Sequence, residues 1–235
     1  MLIVAHRGFS AAAPENTLAA FQKAIDLHAE FIECDVRATA DRQLVVIHDA
    51  TLDRTTNGDG AVCGDTVAEL KHLDAGSWFA PEFAGERIPT LDEVLDLVKG
   101  KSKLIVELKE ENLEDAAVDA ISAHGMLAEV MIASFNEQAG FRLTELDPRV
   151  PFELIVYSPG PLGGNESVRL ADQASSVDAR ILAVNYQAIT PDLVESARAA
   201  NVQLLAWTVN DEQTLRAMAD LGVPMIATDD LRLSA

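Results

Sequence analysis

The strongest constraint on the fold is the regular recurrence of short apolar segments that are rich in β-branched residues. Eight such segments begin 22 to 29 residues apart, except for one interval of 72 residues between positions 31 and 103. Most are almost continuously hydrophobic, which is typical of parallel strands that are buried on both faces. The predicted strands are residues 2–5, 31–36, 103–108, 130–133, 152–156, 180–184, 203–207 and 225–228.

Helical patterns fill the intervals between these strands. Residues 90–93 and 210–213 have the form of capping boxes, and Thr190 precedes a proline at the first helical position. Eight strands alternating with helices predict the α/β class and, within it, a (β/α)8 TIM barrel. The rival is an open doubly wound sheet, but no GxGxxG dinucleotide-binding motif follows the first strand. Because seven residues follow Thr228, the eighth helix is expected to be short or missing.

The long interval contains a further apolar segment, residues 44–48, which follows Val36 after a link of seven residues. A parallel crossover needs about a dozen residues, so this link predicts an antiparallel hairpin. A turn near positions 39–42 would give cross-strand pairs whose numbers sum to about 81, so that Glu33 faces His48. A slip of one residue would turn His48 to the other face.

These intervals also define the domain organisation. We predict a single TIM-barrel catalytic domain over residues 1–235, with a hairpin and an insertion subdomain at residues 37–89, after the second strand.

Composition narrows the environment and the partners. The chain has 18 Lys and Arg against 38 Asp and Glu, and its formal net charge of −20 repels nucleic acid and anionic membranes. No apolar run approaches the about 18 residues of a membrane span, and the N-terminus lacks the basic start of a signal peptide. Cys34 and Cys63 are too few for a disulfide framework and fit a reducing cytoplasm. We therefore expect a cytoplasmic protein that acts on a small molecule, with no nucleic acid and no stable membrane association.

Three carboxylates are predicted to meet at one end of the barrel. The active site of such a barrel lies at the C-terminal ends of its strands. Glu33 and Asp35 share one face of the second strand, and Glu107 lies near the end of the third. Confined carboxylates repel one another, so either their pKa values rise or a cation binds. Oxygen ligands without thiols favour Mg²⁺ or Ca²⁺, with Mn²⁺ also possible, while the structural alternative is a solvated or salt-bridged group of acids.

Two cations accompany these carboxylates. Arg7 follows the first strand, and Lys109 shares a strand face with Glu107. A planar guanidinium suits phosphate and a lysine supplies a point charge, so we interpret both as substrate-binding residues for a phosphodiester. Each could instead neutralise a carboxylate. Trp207 ends the seventh strand, where it either stacks on the substrate or packs at the barrel mouth.

Two of the five histidines flank the same end of the barrel. His6 follows the first strand, and His48 joins the site through the hairpin. With an ordinary pKa of about 6.5, one imidazole can take a proton from the attacking oxygen while the other donates to the leaving alkoxide. We therefore interpret His6 and His48 as the catalytic pair, although a histidine at a strand end is often only a satisfied polar residue. Asp49 either orients His48 or starts a turn.

An ordered set of motifs in this chain resembles the glycerophosphodiester phosphodiesterases. The set spans residues 6–210 in the order found in the family. Its members are His6-Arg7-Gly8, Pro14-Glu15-Asn16-Thr17, Glu33-Cys34-Asp35, Val46-Ile47-His48-Asp49, the segment 52–58, Ile88-Pro89-Thr90-Leu91, Glu107-Leu108-Lys109 and Trp207-Thr208-Val209-Asn210.

The resemblance implies a barrel with an insertion after the second strand, as in the short cytoplasmic members. It implies a divalent metal held by Glu33, Asp35 and Glu107. Phosphate contacts from Arg7 and Lys109 and an acid–base pair of His6 and His48 follow from the same motifs. The implied reaction is hydrolysis of glycerophosphodiesters, such as glycerophosphocholine and glycerophosphoethanolamine, to sn-glycerol 3-phosphate and an alcohol.

Other functions compete with this one. A related phospholipase or sphingomyelinase D-type barrel would act at membranes, which the charge of −20 disfavours. A non-catalytic phosphoester-binding barrel is disfavoured by the complete set of catalytic groups. The sequence leaves open the head-group preference, the metal, the oligomeric state, the pathway, which histidine is the base, and whether water or the glycerol hydroxyl of the substrate is the nucleophile.

Overall fold

Nine strands and eight α-helices alternate along residues 1–234, the part of the chain that the computed structural model describes. The strands are β1 (Leu2–Ala5), β2 (Phe31–Ala38), β3 (Leu44–Val46), β4 (Lys103–Leu108), β5 (Val130–Ser134), β6 (Phe152–Val156), β7 (Ala179–Asn185), β8 (Gln203–Trp207) and β9 (Met225–Thr228). The helices are α1 (Leu18–Asp26), α2 (Val67–Leu70), α3 (Leu91–Val98), α4 (Glu114–Ala123), α5 (Glu137–Leu146), α6 (Gly164–Ser176), α7 (Pro191–Ala199) and α8 (Glu212–Leu221).

Eight of the strands close into a parallel barrel. Their order is β1-β9-β8-β7-β6-β5-β4-β2, and β1 also pairs with β2, which completes the ring. At the closing seam Ala5 lies opposite Thr228 of β9 and Ile32 of β2. The prediction of an α/β TIM barrel is therefore confirmed, and its basis was sound, because strands covered by side chains on both faces must be apolar throughout.

Alternate side chains of each strand enter two different cores. Within β4, Ile105 packs inside the barrel, whereas Leu104 and Val106 pack outward against the helices. Burial of each such side chain stabilises the fold by about 1.5–3 kcal/mol. The inward series continues from Ile105 to Glu107, so the apolar filling of the barrel gives way to polar groups at the C-terminal strand ends. The candidate site therefore lies at the C-terminal ends of the barrel strands.

The segment between β3 and α3 is mostly irregular and has an apolar cluster of its own. The cluster consists of buried Val45, Ile47, Leu52, Val62, Leu70, Ala75 and Ile88. Arg54 of this segment donates to Glu15 of the loop after β1, at 2.7 and 2.9 Å. The segment is thereby fixed beside the barrel mouth.

The hairpin of β2 and β3 is antiparallel, but its predicted register was wrong by one residue. Val36 pairs with Val46 and Ala38 with Leu44, so the paired numbers sum to 82 rather than 81. The turn is the cause, since Thr39 N donates to Gln43 O and residue Arg42 adopts a left-handed conformation at φ 62°. His48 lies beyond the end of β3, so the alternation of the strand does not determine where it points.

The helix ends follow their local sequences with one exception. Thr66 and Thr90 form complete capping boxes with Glu69 and Glu93. The capping box expected at residues 210–213 is wrong, because Asp211 caps α8 by accepting from Thr214 N. After β9, a short 3-10 turn at Leu231–Ser234 follows within the described residues. Within residues 1–234 we find no helix with the length and apolar character that a membrane crossing requires.

Candidate active site

A small cavity of about 120 Å³ opens at the C-terminal ends of the barrel strands. Seven of the eight site residues predicted from the sequence line it: His6, Arg7, Glu33, His48, Glu107, Lys109 and Trp207. The eighth, Asp35, lies behind them and is 1 % exposed. A larger cavity of about 720 Å³ lies at the opposite end of the barrel, among the first residues of the strands, and includes none of the eight.

The three carboxylates form one buried cluster. Glu33, Asp35 and Glu107 each offer an oxygen within 4.8 Å of the oxygens of the other two. Two oxygens of the cluster, Glu33 Oε1 and Asp35 Oδ1, are buried and accept no hydrogen bond. Buried carboxylate oxygens that lack hydrogen bonds are costly, so these oxygens fit the role of ligands to a hard divalent cation.

The charges of the cluster shift its pKa values in opposite directions. Burial, followed by the charges of its acidic neighbours, raises the pKa of Glu33 and of Glu107. Burial also acts to raise the pKa of Asp35, but Arg7 and Lys109 outweigh it and hold that pKa below its usual range. Asp35 is therefore the member of the cluster that stays ionised most readily.

Asn16 fixes the orientation of Asp35. Its Nδ2 donates to Asp35 Oδ2 at 2.7 Å, and its Oδ1 accepts from Asp35 N at 3.2 Å. Asn16 itself is 4 % exposed and adopts φ 57° in the loop after β1. The contact joins residues 19 positions apart, so the pattern of apolar and polar residues in the sequence does not reveal it.

Arg7 and Lys109 bracket the cluster from two sides. Arg7 N donates to Glu33 Oε2 at 2.8 Å, while its Nη1 donates to Glu15 Oε1 at 2.8 Å. Arg7 Nε forms an ion pair with Asp35 Oδ2 at 3.3 Å but is not aligned for a hydrogen bond. Lys109 Nζ donates to Glu107 Oε1 at 2.5 Å and lies 3.4 Å from Asp35 Oδ1.

His6 is held by a carboxylate from the far end of the chain. His6 Nδ1 lies 2.6 Å from Asp229 Oδ1, and Asp229 also accepts from Asn210 Nδ2 at 2.6 Å and Ser10 Oγ at 3.1 Å. Although burial opposes the shift, the bonds from His6, Asn210 and Ser10 lower the pKa of Asp229 to about 2. An ionised carboxylate at Nδ1 leaves Nε2 of the imidazole for proton transfer.

His48 has a similar arrangement built from the insertion. Its Nδ1 lies 2.7 Å from Asp49 Oδ1, and Arg54 holds Asp49 with donors at 2.7 and 3.0 Å. Arg37 Nε donates to the carbonyl oxygen of His48 at 2.8 Å. Burial is the largest cause of a lowered pKa of His48, and the charge of Arg7 adds to it.

Aromatic side chains form one rim of the cavity. The ring of Trp207 lies 6.2 Å from that of Phe135 and 6.5 Å from that of Tyr157. Phe135 and Tyr157 are 51 % and 65 % exposed, which is unusual for large hydrophobic residues. This rim offers an apolar surface to a ligand at the mouth.

Inside the cavity, one acidic residue was not anticipated. Glu153 of β6 lines the cavity and is 4 % exposed, and its Oε2 has no hydrogen-bond partner. Burial, with a smaller contribution from Glu107, raises the pKa of Glu153 to about 8. The sequence offered a signal in Phe152–Val156, where this acid interrupts an apolar strand.

A family model and a similar relative point to the same family for this chain. The sequence model described as the glycerophosphoryl diester phosphodiesterase family matches residues 6–233. A glycerophosphodiester phosphodiesterase of Caldanaerobacter subterraneus is 40 % identical over 235 residues, which cover 97 % of this chain and 94 % of the relative.

Two solved structures have the same fold. A glycerophosphodiester phosphodiesterase from Agrobacterium tumefaciens superposes with a TM-score of 0.84 at 32 % identity, covering 99 % of this chain and 98 % of that one. An Oleispira antarctica phosphodiesterase, solved in complex with the product sn-glycerol-3-phosphate, gives 0.88 at 31 % identity over 97 % and 93 % of the two chains.

Proposed function

This chain is a phosphodiesterase of the glycerophosphoryl diester phosphodiesterase family, and from that premise we propose that it cleaves small glycerophosphodiesters to sn-glycerol 3-phosphate and an alcohol. One observation carries the proposal: three carboxylates, two cations and two carboxylate-paired histidines converge at one cavity. Phosphodiester hydrolysis needs such a set, namely a cation site, contacts for phosphate oxygens and groups that transfer protons. The product bound by the Oleispira antarctica relative supports the choice of product.

Glu33, Asp35 and Glu107 would hold a divalent metal. The all-oxygen donor set and the two buried oxygens that lack hydrogen bonds suit Mg²⁺, Ca²⁺ or Mn²⁺. When bound, such an ion offsets the negative charge of the diester and polarises its phosphoryl oxygens.

Arg7 and Lys109 would bind the phosphate group. Both side chains line the cavity, where the guanidinium of Arg7 and the remaining donors of the Lys109 ammonium would contact phosphate oxygens. Trp207, at the rim, would pack against an organic part of the substrate. Together these contacts orient the diester between the two imidazoles.

His6 and His48 would divide the proton transfers. We assign His6 as the base, whose Nε2 takes the proton of the attacking oxygen, and His48 as the acid, which protonates the departing alkoxide as its P–O bond breaks. If water attacks, the diester and one water give the two products directly. If the glycerol hydroxyl attacks, a cyclic phosphate forms and water opens it in a second step. The lowered pKa of His48 makes its protonated form a stronger acid, and a bound anionic diester acts to keep it protonated.

The decisive experiment measures release of sn-glycerol 3-phosphate from glycerophosphocholine and glycerophosphoethanolamine. The protein is first treated with EDTA and then supplied with Mg²⁺, Ca²⁺ or Mn²⁺. We expect release to stop with EDTA and to return with at least one of the metals. Folded protein that releases no product with any of the metals would contradict the proposed reaction, and undiminished release in EDTA would contradict its metal dependence.

A further inference from the structure

The wall of the active-site cavity has two chemically different halves. The half contributed by β1, β2 and β4 carries the charged groups, His6, Arg7, Glu33, Glu107 and Lys109. The half contributed by β5 to β9 is built mainly from apolar side chains, namely Ala133, Ile155, Ala183, Leu205 and Ala227. A bound diester therefore meets charge on one side and a smooth apolar surface on the other.

Glu153 is the exception in the apolar half. It pairs with Ala133 of β5 and Ile181 of β7, both of which belong to the apolar core inside the barrel. Its side chain is 4 % exposed, and no ion pair or hydrogen bond of its carboxyl group is found within residues 1–234. An apolar residue at this position would continue the surrounding core, whereas a buried carboxyl group without a partner destabilises the fold.

The surroundings restrict what such a carboxyl group can bind. The positive charges suited to a phosphate, Arg7 and Lys109, line the charged half of the cavity, whereas the half that contains Glu153 offers a phosphate no cation. A hydroxyl group can donate to a carboxylate or accept from a carboxylic acid, and the neighbouring alanines leave room for a short carbon chain. The exposed rim residues Phe135 and Tyr157 lie at the open mouth, where the variable alcohol can leave.

From this arrangement we propose that Glu153 is a specificity-determining residue that hydrogen-bonds a hydroxyl of the glycerol unit and so directs the glycerol end of the diester into the cavity. The inference rests on the proposed function, since it specifies which part of that substrate the apolar half receives. This role explains why a buried acid without a partner is present in a core that it destabilises. Sites that bind polar groups of a substrate often contain residues that lower the stability of the fold.

The test compares two variants of Glu153 with a control. Glu153→Leu removes the hydrogen-bonding group, and Glu153→Gln keeps the shape and the ability to bond a hydroxyl. Ser167→Ala is the matched control, because Ser167 of α6 is fully buried, its Oγ has no partner, and it does not line the cavity. Calorimetric titration in Mg²⁺ then gives the affinity of each protein for sn-glycerol 3-phosphate and for inorganic phosphate, and thermal unfolding reports whether each variant is folded.

We expect Glu153→Leu to bind sn-glycerol 3-phosphate about 10- to 100-fold more weakly, the range for loss of one hydrogen bond to such a group, with unchanged affinity for phosphate. Glu153→Gln should retain most of the affinity, and Ser167→Ala all of it. Glu153→Leu should also unfold at the same or a higher temperature than the parent chain. Equal affinities in the parent and Glu153→Leu, or a parallel loss for phosphate, would overturn the assignment.

This binding measurement is separate from the reaction itself. If the parent protein binds sn-glycerol 3-phosphate but does not release it from diesters, the proposed hydrolysis fails while the role of Glu153 is still decided by the titrations. If hydrolysis proceeds and Glu153→Leu loses efficiency only on glycerophosphoethanolamine, with its product affinity intact, Glu153 binds the ammonium head group instead and our assignment is wrong.

Discussion

His6 and His48 are both anchored through Nδ1, but the two anchors differ in kind. Asp229, the partner of His6, is 223 positions away in the chain and is held by groups of the barrel. Asp49, the partner of His48, is its neighbour in sequence and is held by Arg54 of the insertion. Both rings are thereby fixed with Nε2 available, as the proposed pair of base and acid requires.

The first prediction concerns these two residues. Replacing either with alanine, as His6→Ala or His48→Ala, should reduce turnover at least about 100-fold, the lower range for general acid–base catalysis. Exposed His72 provides the control, and His72→Ala should retain full turnover. Steady-state rates on glycerophosphocholine with saturating metal check this, and a near-normal rate from either active-site variant would remove that histidine from the mechanism.

Strand-end reasoning was able to select the eight candidate residues because carboxylates, histidines and cations are rare within apolar strands. It could not assign the residues that orient them. Asn16 acts on Asp35, and Asn210 acts on Asp229, through contacts that exist only once the barrel has closed. Glu153 was missed for another reason: although it interrupts an apolar strand, the sequence does not show which face of the strand it lies on or that it is buried.

At the scale of elements, the loop after β1 is fixed by its contact with α1. Gly8 adopts φ 82°, and a Cβ atom there would lie 2.7 to 2.9 Å from atoms of Ala20. Phe9 N donates to Ala20 O at 3.0 Å across the same contact. The glycine of the His6-Arg7-Gly8 segment therefore lets the loop approach the helix closely enough to position the two residues before it.

The second prediction separates close approach from backbone strain. Gly8→Ala should lower the free energy of unfolding by about 2–5 kcal/mol, because it adds a clash to the cost of a left-handed alanine. Gly85→Ala is the control: Gly85 adopts φ 94°, but its Cβ would meet nothing within 4 Å, so only about 1–2 kcal/mol should be lost. Urea unfolding measures both, and equal losses would show that packing against α1 is unimportant.

Among the elements, the strands were predicted more accurately than the connections between them. Five of the eight barrel strands have the predicted bounds, since hydrophobic continuity ends where burial ends. The register of the hairpin shifted because a left-handed residue at Arg42 lengthens the turn, which the apolar pattern does not encode. Asn210 looked like a helix cap by local spacing, yet it bonds Asp229 instead, and Asp211 caps the helix. Tertiary contacts decided both cases.

For the molecule as a whole, the charged cavity opposes folding stability until a cation is present. Because the pKa values of Glu33 and Glu107 are raised, the metal-free native state binds protons more tightly than the unfolded chain does. Stability of the metal-free protein should therefore fall as pH rises above the usual carboxyl pKa of about 4.3. A bound divalent cation would reverse this fall, because it replaces the protons.

The third prediction follows from this linkage. Mg²⁺ at about 100 times its dissociation constant should raise the melting temperature by about 5–10 °C at neutral pH, and by progressively less as pH falls. Glu107→Gln should be at least as stable as the parent without metal and should lose the response. The control Glu30→Gln alters an exposed acid that pairs with Lys103 near the start of β4, and it should keep the response. An identical melting temperature with and without the metals, in the parent chain at every pH, would contradict a metal in this cluster.

The pairing of His6 with Asp229 across the seam between β1 and β9 joins a residue that is synthesised early to one that is synthesised late. A ribosome that has synthesised the chain as far as residue 220 has already made both histidines, both cations and the three clustered carboxylates. It has not yet made the strand that seals the ring or the anion that orients the first imidazole. The carboxylate that holds His6 is therefore among the last parts of the site to be synthesised, and the contact forms only when β1 and β9 come together.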